Sequence, residues 1–578
     1  MIFDEWVEVE DSGPPLSGHP RAAVLHKNPV IAGILHRRGI HTEDEYRRFI
    51  APTVNDLHDP AGIHGIAEAC ERIERAVRDK ETILIYGDYD VDGVTSIVLL
   101  QTVLKILGAD AAHVVPHRLV DGYGLKLEVL ERVLAERDVR LVITVDCGIT
   151  SVDPVRRAID LGIDVIITDH HLPPGTLPDA AAVLNPKQPG CTYPFKELAG
   201  VGVAFKLCCE LIRRAKKNIS TESLLKIAAI GTVADVAPLI GENRTIAWLG
   251  LNGLADPRNR GLRALIRRLG MLGRPLRAVD IGFRIGPRIN AAGRLASAET
   301  AIDLFAAEND EVAWQLCADL DRMNAERQAI EIDVRRAAEE QVTALPGCRG
   351  SENSLGNLET RQPGNPRVLI VAGENWHKGV LGLTAGRIAQ KHHRPTLVMS
   401  IEGENAVGSA RSIPTIDLHS QLESIGDVFT HFGGHEFACG FSLPASRIGE
   451  LRQRLEKRFE QLDGDLFRRD AHIDARLTLG EVNAEFVGAH EMLQPFGAGN
   501  PQPLFLATNV SVVSRRAFAE DCCEVLLEDA SGRAQAVIWP SAGGIHPALG
   551  SGSRADVLFQ IEPGPRLTLV DARAPNNV

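Results

Sequence analysis

No stretch of the 578-residue sequence holds the run of roughly 18–20 uninterrupted apolar residues that a membrane-spanning helix requires, so an integral membrane protein is not expected. The first residues, MIFDEWVEVEDSG, are acidic and lack a basic segment ahead of an apolar one, so a secretory signal is not expected either. No CxxC pair occurs among the ten cysteines. Two adjacent doublets, Cys208–Cys209 and Cys522–Cys523, suit buried thiols of a reducing cytoplasm better than a disulfide framework. No internal repeat of 20–50 residues is visible. Positive charge is in deficit: the formal net charge of −13 argues against a protein that coats nucleic acid indiscriminately. That deficit is uneven, because 257–294 carries ten arginines and a single acid, Asp280. Such a strip suits either a phosphate backbone in one groove or an ordinary solvated helix face.

What is present is an ordinary globular composition, 44% hydrophobic and 24% charged, long enough for three or four domains. TILIY (82–86), LVITV (141–145) and VIIT (165–168) read as buried strands, and 94–107 and 125–137 as helices. That alternation predicts βαβ units and a parallel sheet. The pattern from about 200 to 345 is mostly helical and closes on one long helix near 311–345. The segment 349–367, rich in Gly, Asn and Pro, reads as a flexible loop. VLIVAG (368–373) opens a smaller α/β domain, and SVVSRRAF, CEVLLED and AQAVIW beyond residue 470 predict a small β-barrel.

Chemistry-bearing residues fall at the strand ends. Asp88, Asp90 and Asp92 in YGDYDVDG follow the first strand; Asp146 follows LVITV; Asp169, His170 and His171 follow VIIT. In an open parallel sheet the carboxyl ends of the strands form one rim, where ligands bind. Asp235 sits in the apolar run IAAIGTVADVAPLIG, read as helical, where a carboxylate is costly to bury unless paired or ligating. Taken singly, DxDxD is equally a solvated or calcium-type loop, HH a structural pair, and an Asp after a strand a helix cap. Together, clustered carboxylates with an imidazole suit Mn²⁺ or Mg²⁺. Two such ions, about 3.5–4 Å apart, can hold a nucleophilic water and stabilise the leaving oxygen of a phosphodiester.

GDYDVDGVTS (87–96), VDCGI (145–149), TDHH (168–171) and GTVADVAPL (231–239) resemble the four motifs of the DHH phosphoesterase superfamily. Within it, the likeness to the RecJ family of single-strand-specific exonucleases covers nearly the whole chain. GPRINAAGR (286–294), WHKGVLGLTAGRIA (376–389), SARSIPTIDL (409–418) and GGHEFACG (433–440) are also similar to that family, the last to the signature of its DHHA1 domain. The resemblance implies an α/β protein: a parallel-sheet DHH domain, a helical linker, a smaller α/β DHHA1 domain and a C-terminal OB-like barrel. The segments expected are an N-terminal extension (1–70), the DHH domain (71–310), a connecting helix (311–348), the loop (349–367), DHHA1 (368–462) and the OB-like domain (463–578).

Carried over by position, the resemblance makes Asp90, Asp92, Asp146, His170 and Asp235 metal ligands for two divalent ions, with Asp146 bridging. It gives Asp88 and His171 supporting catalytic roles. His435 becomes a catalytic or phosphate-contacting imidazole; the plain alternative is a satisfied core histidine. Arg118, Ser409 and Arg411 would bind a terminal phosphate, and Arg288 and Arg294 the backbone. The implied activity is 5′ to 3′ exonuclease action on single-stranded DNA, releasing 5′-mononucleotides in recombination and repair, along a channel too narrow for a duplex. The implied setting is a cytoplasmic monomer with a single-stranded-DNA-binding protein, a helicase and recombination or mismatch-repair factors as partners. The rival expectations are a smaller-substrate oligoribonuclease or nucleotide phosphatase, and a non-catalytic DNA-binding replication scaffold.

Overall fold

The computed structural model describes residues 3–9, 26–118, 120–122, 124–217, 219–345, 366–519, 522–539, 547–564 and 566–575. They divide into two compact units. The first takes the described residues of 26–325 together with Met492–Gln502; the second takes the rest.

The first unit is built on five parallel strands: β1 (Thr82–Gly87), β2 (Asp110–Val114), β3 (Val139–Val145), β4 (Asp164–Thr168) and β5 (Ala182–Leu184). Their spatial order is β2-β1-β3-β4-β5, so the winding reverses between β1 and β3. Both faces of the sheet are covered. Ile83 and Ile85 of β1 join a core with helices α1 (Val91–Leu107), α2 (Gly200–Arg214) and α3 (Glu222–Ala234), whereas Leu84 and Tyr86 join a separate core on the opposite face. Burial on both sides is why these strands read as continuous apolar runs and not as alternating ones. Two strands escaped the sequence reading for the converse reason. β2, DAAHV, is a partly exposed edge strand with mixed polarity, and β5 is only three residues long. The helix expected at 125–137 spans Leu127–Leu134. Asp235 is not inside a helix: α3 ends at Ala234, Val236 takes a left-handed φ of 59°, and the next helix, Gly241–Gly253, starts after Pro238. Proline disfavours the α conformation at the residue before it, here Ala237, and with the left-handed Val236 this separates the apolar run into two helices.

Helix α4 (Gly286–Leu295) carries the GPRINAAGR motif and follows a π-helical turn at Ile281–Ile285. The long helix α5 runs unbroken over Asp310–Ala344, 35 residues. The loop expected at 349–367 lies, apart from its last two residues, outside the described residues.

In the second unit, β6 (Leu369–Glu374), β7 (Thr396–Glu402), β8 (Asn405–Arg411), β9 (His431–His435) and β10 (Ala438–Pro444) form a sheet in the order β9-β10-β8-β7-β6. Helix α6 (Lys378–His392) packs on β7 and β8. Strands β11 (Phe505–Ala519), β12 (Cys522–Glu528), β13 (Arg533–Ile538), β14 (Arg554–Ile561) and β15 (Arg566–Arg573) close into a barrel. Its circuit is β11-β12-β13-β15-β14 and back to β11, antiparallel except for the β13–β15 pair. This is the topology of an oligonucleotide/oligosaccharide-binding fold. Glu5–Glu8 pairs with Asp470–Ile473 in this same unit, so residues assigned to a single N-terminal extension are shared between the two units.

A buried ion pair ties helices of the first unit together. Lys206 Nζ of α2 lies 2.6 Å from Glu242 Oε1, both side chains 1% exposed. Lys206 also donates to the His58 carbonyl, while Glu242 accepts from the Tyr193 hydroxyl and the His58 amide. Removing one partner strands a buried charge. Lys206→Met is therefore expected to lower unfolding stability by about 3–5 kcal/mol in urea titrations, and Lys206→Met/Glu242→Gln to recover part of the loss. A Lys206→Met protein as stable as the parent contradicts this account.

Candidate metal centre

The register of the sheet assembles the site. Gly87 pairs with Val145, and Val145 with Thr168, so β1, β3 and β4 end in one row. Neighbouring strands lie about 4.8 Å apart, so the next residues, Asp88, Asp146 and Asp169, emerge side by side. The row continues for one more step: the Asp146 amide donates to the Thr168 carbonyl, and the Asp169 amide to that of Leu184. Asp146 adopts a left-handed φ of 59°, unusual for a residue other than glycine. Such strain, of order 1–3 kcal/mol, persists only where surrounding structure fixes it.

Each acid is then aimed by local backbone. Asp90 caps α1, accepting from the Asp92 and Gly93 amides. Asp92, in the first turn of α1, accepts from the Gly200 and Val201 amides at 2.7 Å each, so the N-terminus of α2 holds both of its oxygens. Gly200 has to be glycine, since a Cβ there would stand 2.7 Å from Asp146 Oδ1. Asp169 accepts from the amides of His170, His171 and Ile149 and from His171 Nδ1 at 2.6 Å.

The result is a compact donor cluster. His170 Nε2 lies 3.2 Å from Asp146 Oδ1 and 3.9 Å from Asp92 Oδ2, and His170 Nδ1 lies 4.0 Å from Asp235 Oδ2. Three ligand sets, each with donor atoms within 4.8 Å of one another, overlap here: Asp88–Asp90–Asp146, Asp92–His170–Asp235 and Asp146–His170–His171. All five acids and both histidines expected at the site therefore meet, and Asp88 stands among the donors beside Asp90 and Asp146.

The electrostatics call for a cation. Burial and neighbouring carboxylates push Asp88, Asp146 and Asp235 well above the usual carboxylate range, and Asp92 up to about 7. Asp88 Oδ1 is buried with no hydrogen-bond partner among the described residues. Asp169 behaves oppositely: burial would raise it, but His171 and the amides hold it at about 2. His171 is raised above the ordinary imidazole value, Asp169 and the other acids outweighing the opposing effect of burial. Oxygen-rich donors with one or two imidazole nitrogens fit Mn²⁺ or Mg²⁺.

Four contributors escape the sequence reading. Asp169 lies inside the TDHH motif but was assigned no role; its work is to fix His171. Asn290 of α4 accepts from the Val91 amide, and Gly293 packs where a Cβ would meet the Tyr89 carbonyl at 2.5 Å. The GPRINAAGR motif thus buttresses the Asp88–Asp92 loop. Gly200 serves through its backbone, which leaves no signal in a list of chemical groups.

The expected phosphate contacts are distributed. Arg118 lies over the Tyr89 ring at 4.7 Å and lowers the Asp88 carboxyl against its burial. Arg294, half-buried, lies in the last turn of α4. Arg288 is engaged: its Nε pairs with Asp321 at 2.5 Å, an acid it shares with Arg268, and its Nη1 donates to the Arg284 carbonyl. In the second unit, Ser409 and Arg411 share one face of β8, where Arg411 Nη1 donates to Ser409 Oγ at 2.9 Å. His435, exposed, ends β9.

Matches to known families cover all three folded regions: "DHH family, N-terminal domain" at residues 82–232, "DHHA1 domain" at 365–461 and "RecJ OB domain" at 473–563. The single-stranded-DNA-specific exonuclease RecJ of Salmonella typhimurium is 35% identical over 87% of this chain and 87% of its own length. The chain belongs to the RecJ family. The RecJ of Bacillus subtilis is 38% identical over 84% of this chain, which spans 59% of that relative's length. Among solved structures, RecJ from Thermus thermophilus in complex with Mn²⁺ matches 99% of this chain and 80% of its own, with TM-score 0.82 and 27% identity. The same protein with Mg²⁺ matches with TM-score 0.77. DHH proteins are metal-dependent phosphoesterases, and this chain presents acidic and histidine groups placed to hold metal ions.

The raised carboxyls bind protons more readily folded than unfolded. Their contribution to stability is present below the unfolded carboxylate value of about 4 and lost as pH rises through the folded values, about 7 for Asp92. In chelator, the melting temperature is therefore expected to fall between pH 5.5 and 8, less so in Asp146→Asn, and Mn²⁺ or Mg²⁺ is expected to abolish the fall. Thermal melts with identical slopes for both proteins in chelator contradict this.

Proposed function

We propose that this chain is a metal-dependent 5′ to 3′ exonuclease that degrades single-stranded DNA to 5′-mononucleotides, acting in recombination and repair in the cytoplasm. The observation that carries the reading is the convergence of Asp88, Asp90, Asp92, Asp146, His170 and Asp235 within ligand distance at one sheet edge. Its support comes from the family membership and from relatives named as single-stranded-DNA-specific exonucleases.

Asp88, Asp90 and Asp146 would hold one ion, Asp92, His170 and Asp235 a second, with Asp146 reaching both. Bound Mn²⁺ or Mg²⁺ supplies positive charge to the scissile phosphate and acidifies the attacking water. The bond broken joins phosphorus to the 3′ oxygen of the terminal nucleotide, so a proton has to reach that oxygen. His171, its Nδ1 hydrogen-bonded to Asp169, is the group to deliver that proton or to hold a non-bridging oxygen. Ser409, Arg411 and His435 in the second unit, and Arg118 in the first, are assigned to phosphate, and Arg294 to the backbone. Arg288 joins that role only by releasing Asp321. The barrel offers a further single-strand platform. A single-stranded-DNA-binding protein, a helicase and recombination or mismatch-repair factors are the proposed partners of a monomer. Among the described residues, no helix is long and apolar enough to cross a membrane.

Digestion of 5′- and 3′-labelled single and double strands tests this directly. Expected are label release from the 5′ end of single strands only, dependence on Mn²⁺ or Mg²⁺, abolition by chelator, and a loss of at least about 100-fold in Asp146→Ala. Preference for a dinucleotide over a long strand would instead favour a smaller-substrate relative. Unchanged digestion in chelator rejects the metal reading.

A further inference from the structure

Met492–Gln502 lies far along the chain from the DHH motifs, immediately before the barrel strands, yet it belongs to the first unit. Two arginines grip it. Arg244, 3% exposed, donates to the carbonyls of Leu493, Gln494 and Pro495 and to that of Phe49, and lies 3.5 Å over the Phe49 ring. Among the described residues no acid forms an ion pair with it, and burial, reinforced by Arg38, brings it down to about 9. Arg38 donates to Asn500 Oδ1 and to the Pro501 carbonyl. Asn500, 1% exposed, closes the loop on itself by donating from Nδ2 to the Leu493 and Pro495 carbonyls, at 3.0 and 2.7 Å. A guanidinium buried against carbonyls and a ring, with no ion-paired acid among the described residues, is held there at a cost in desolvation.

The loop in turn holds the residues that follow Asp235. The Leu239 amide donates to the Ala498 carbonyl at 2.6 Å. Gly497 lies so close that a Cβ would meet Leu239 Cδ1 at 2.7 Å, and Gly499 sits against Pro238 and Ile240. Between Asp235 and these anchored residues stands Val236, a β-branched residue at φ 59°, exposed to solvent. That conformation is a strained one, sustained only when both ends of the turn are fixed. The α3 helix fixes one end, through the Asp235 amide on the Gly231 carbonyl. The loop fixes the other.

We propose that Met492–Gln502 is a positioning clamp for Asp235: by seizing Pro238, Leu239 and Ile240 it holds the strained turn, and so keeps the Asp235 carboxylate facing His170 and Asp92. This rests on the reading of Asp235 as a metal ligand. It makes the integrity of a site built from residues 88–235 depend on a segment more than 250 residues further along the chain.

The test uses the full-length protein and Mn²⁺ alone. Mn²⁺ binding is measured by calorimetry or paramagnetic resonance for the parent, Asp235→Ala, Asn500→Ala, Gly497→Ala and, as a surface control, Arg454→Ala. Amide exchange over residues 235–240 is followed in the metal-free proteins. Expected are a loss of one ion in Asp235→Ala, weakening of the same ion by about 10-fold or more in Asn500→Ala and Gly497→Ala, and faster exchange at 236–240 in both loop variants. Arg454→Ala should match the parent. Gly497→Ala adds one methyl group and serves should Asn500→Ala fail to fold. If Asp235→Ala loses an ion while the loop variants bind Mn²⁺ and exchange as the parent does, the clamp is refuted. If Asp235→Ala binds both ions as the parent does, the ligand reading beneath it fails and the clamp falls with it.

Discussion

Mutual repulsion among buried carboxylates is the constraint around which the first unit is organised. Asp88 and Asp146 at strand ends and Asp92 in the first turn of α1 are almost wholly buried, and Asp235 and Asp90 stand beside them. Water does not reach these groups well enough to screen them, and the two histidines cannot balance so many acids. The cluster is therefore stable in two ways only: with protons on several carboxyls, or with cations among them. The fold uses several devices to keep the acids together despite this. The amides of α2 hold Asp92, a left-handed backbone turns Asp146 inward, and Asn290 and Gly293 press the Asp88–Asp92 loop from outside.

The same constraint separates groups that look alike on paper. Asp169 neighbours the cluster but receives three amides and the His171 imidazole, so it stays ionised and serves as an orienting anion. Asp88, at the end of β1, lacks that support and is left to a cation. Two aspartates at equivalent strand ends thus have opposite roles, decided by the hydrogen bonds around them and not by their position in the sheet.

The basic strip shows charge being used locally. Of the arginines in 257–294, Arg268 and Arg288 share Asp321, and Arg274 and Arg284 share Asp280. Two carboxylates thus engage four of the ten arginines within the unit, and what its motif contributes most visibly is packing against the metal-site loop. Part of a run of arginines that reads equally as a phosphate track or a solvated face thus works as an internal scaffold.

Sequence alone determined the parallel-sheet architecture, the barrel at the C-terminus and nearly every donor of the centre, because buried strands are apolar throughout and the acids sit directly after them. TILIY followed by Asp88, LVITV by Asp146 and VIIT by Asp169 needed no coordinates to be placed on one rim. Tertiary structure decided what periodicity and chemical type do not encode. The edge strand at 110–114 is too polar and the strand at 182–184 too short to register; the turn at Val236 interrupts an apolar run that looks helical; and Gly200, Gly293 and Met492–Gln502 act through backbone and close approach. Contacts of that kind join residues distant in the chain by geometry, and geometry of that range exists only once the chain has folded.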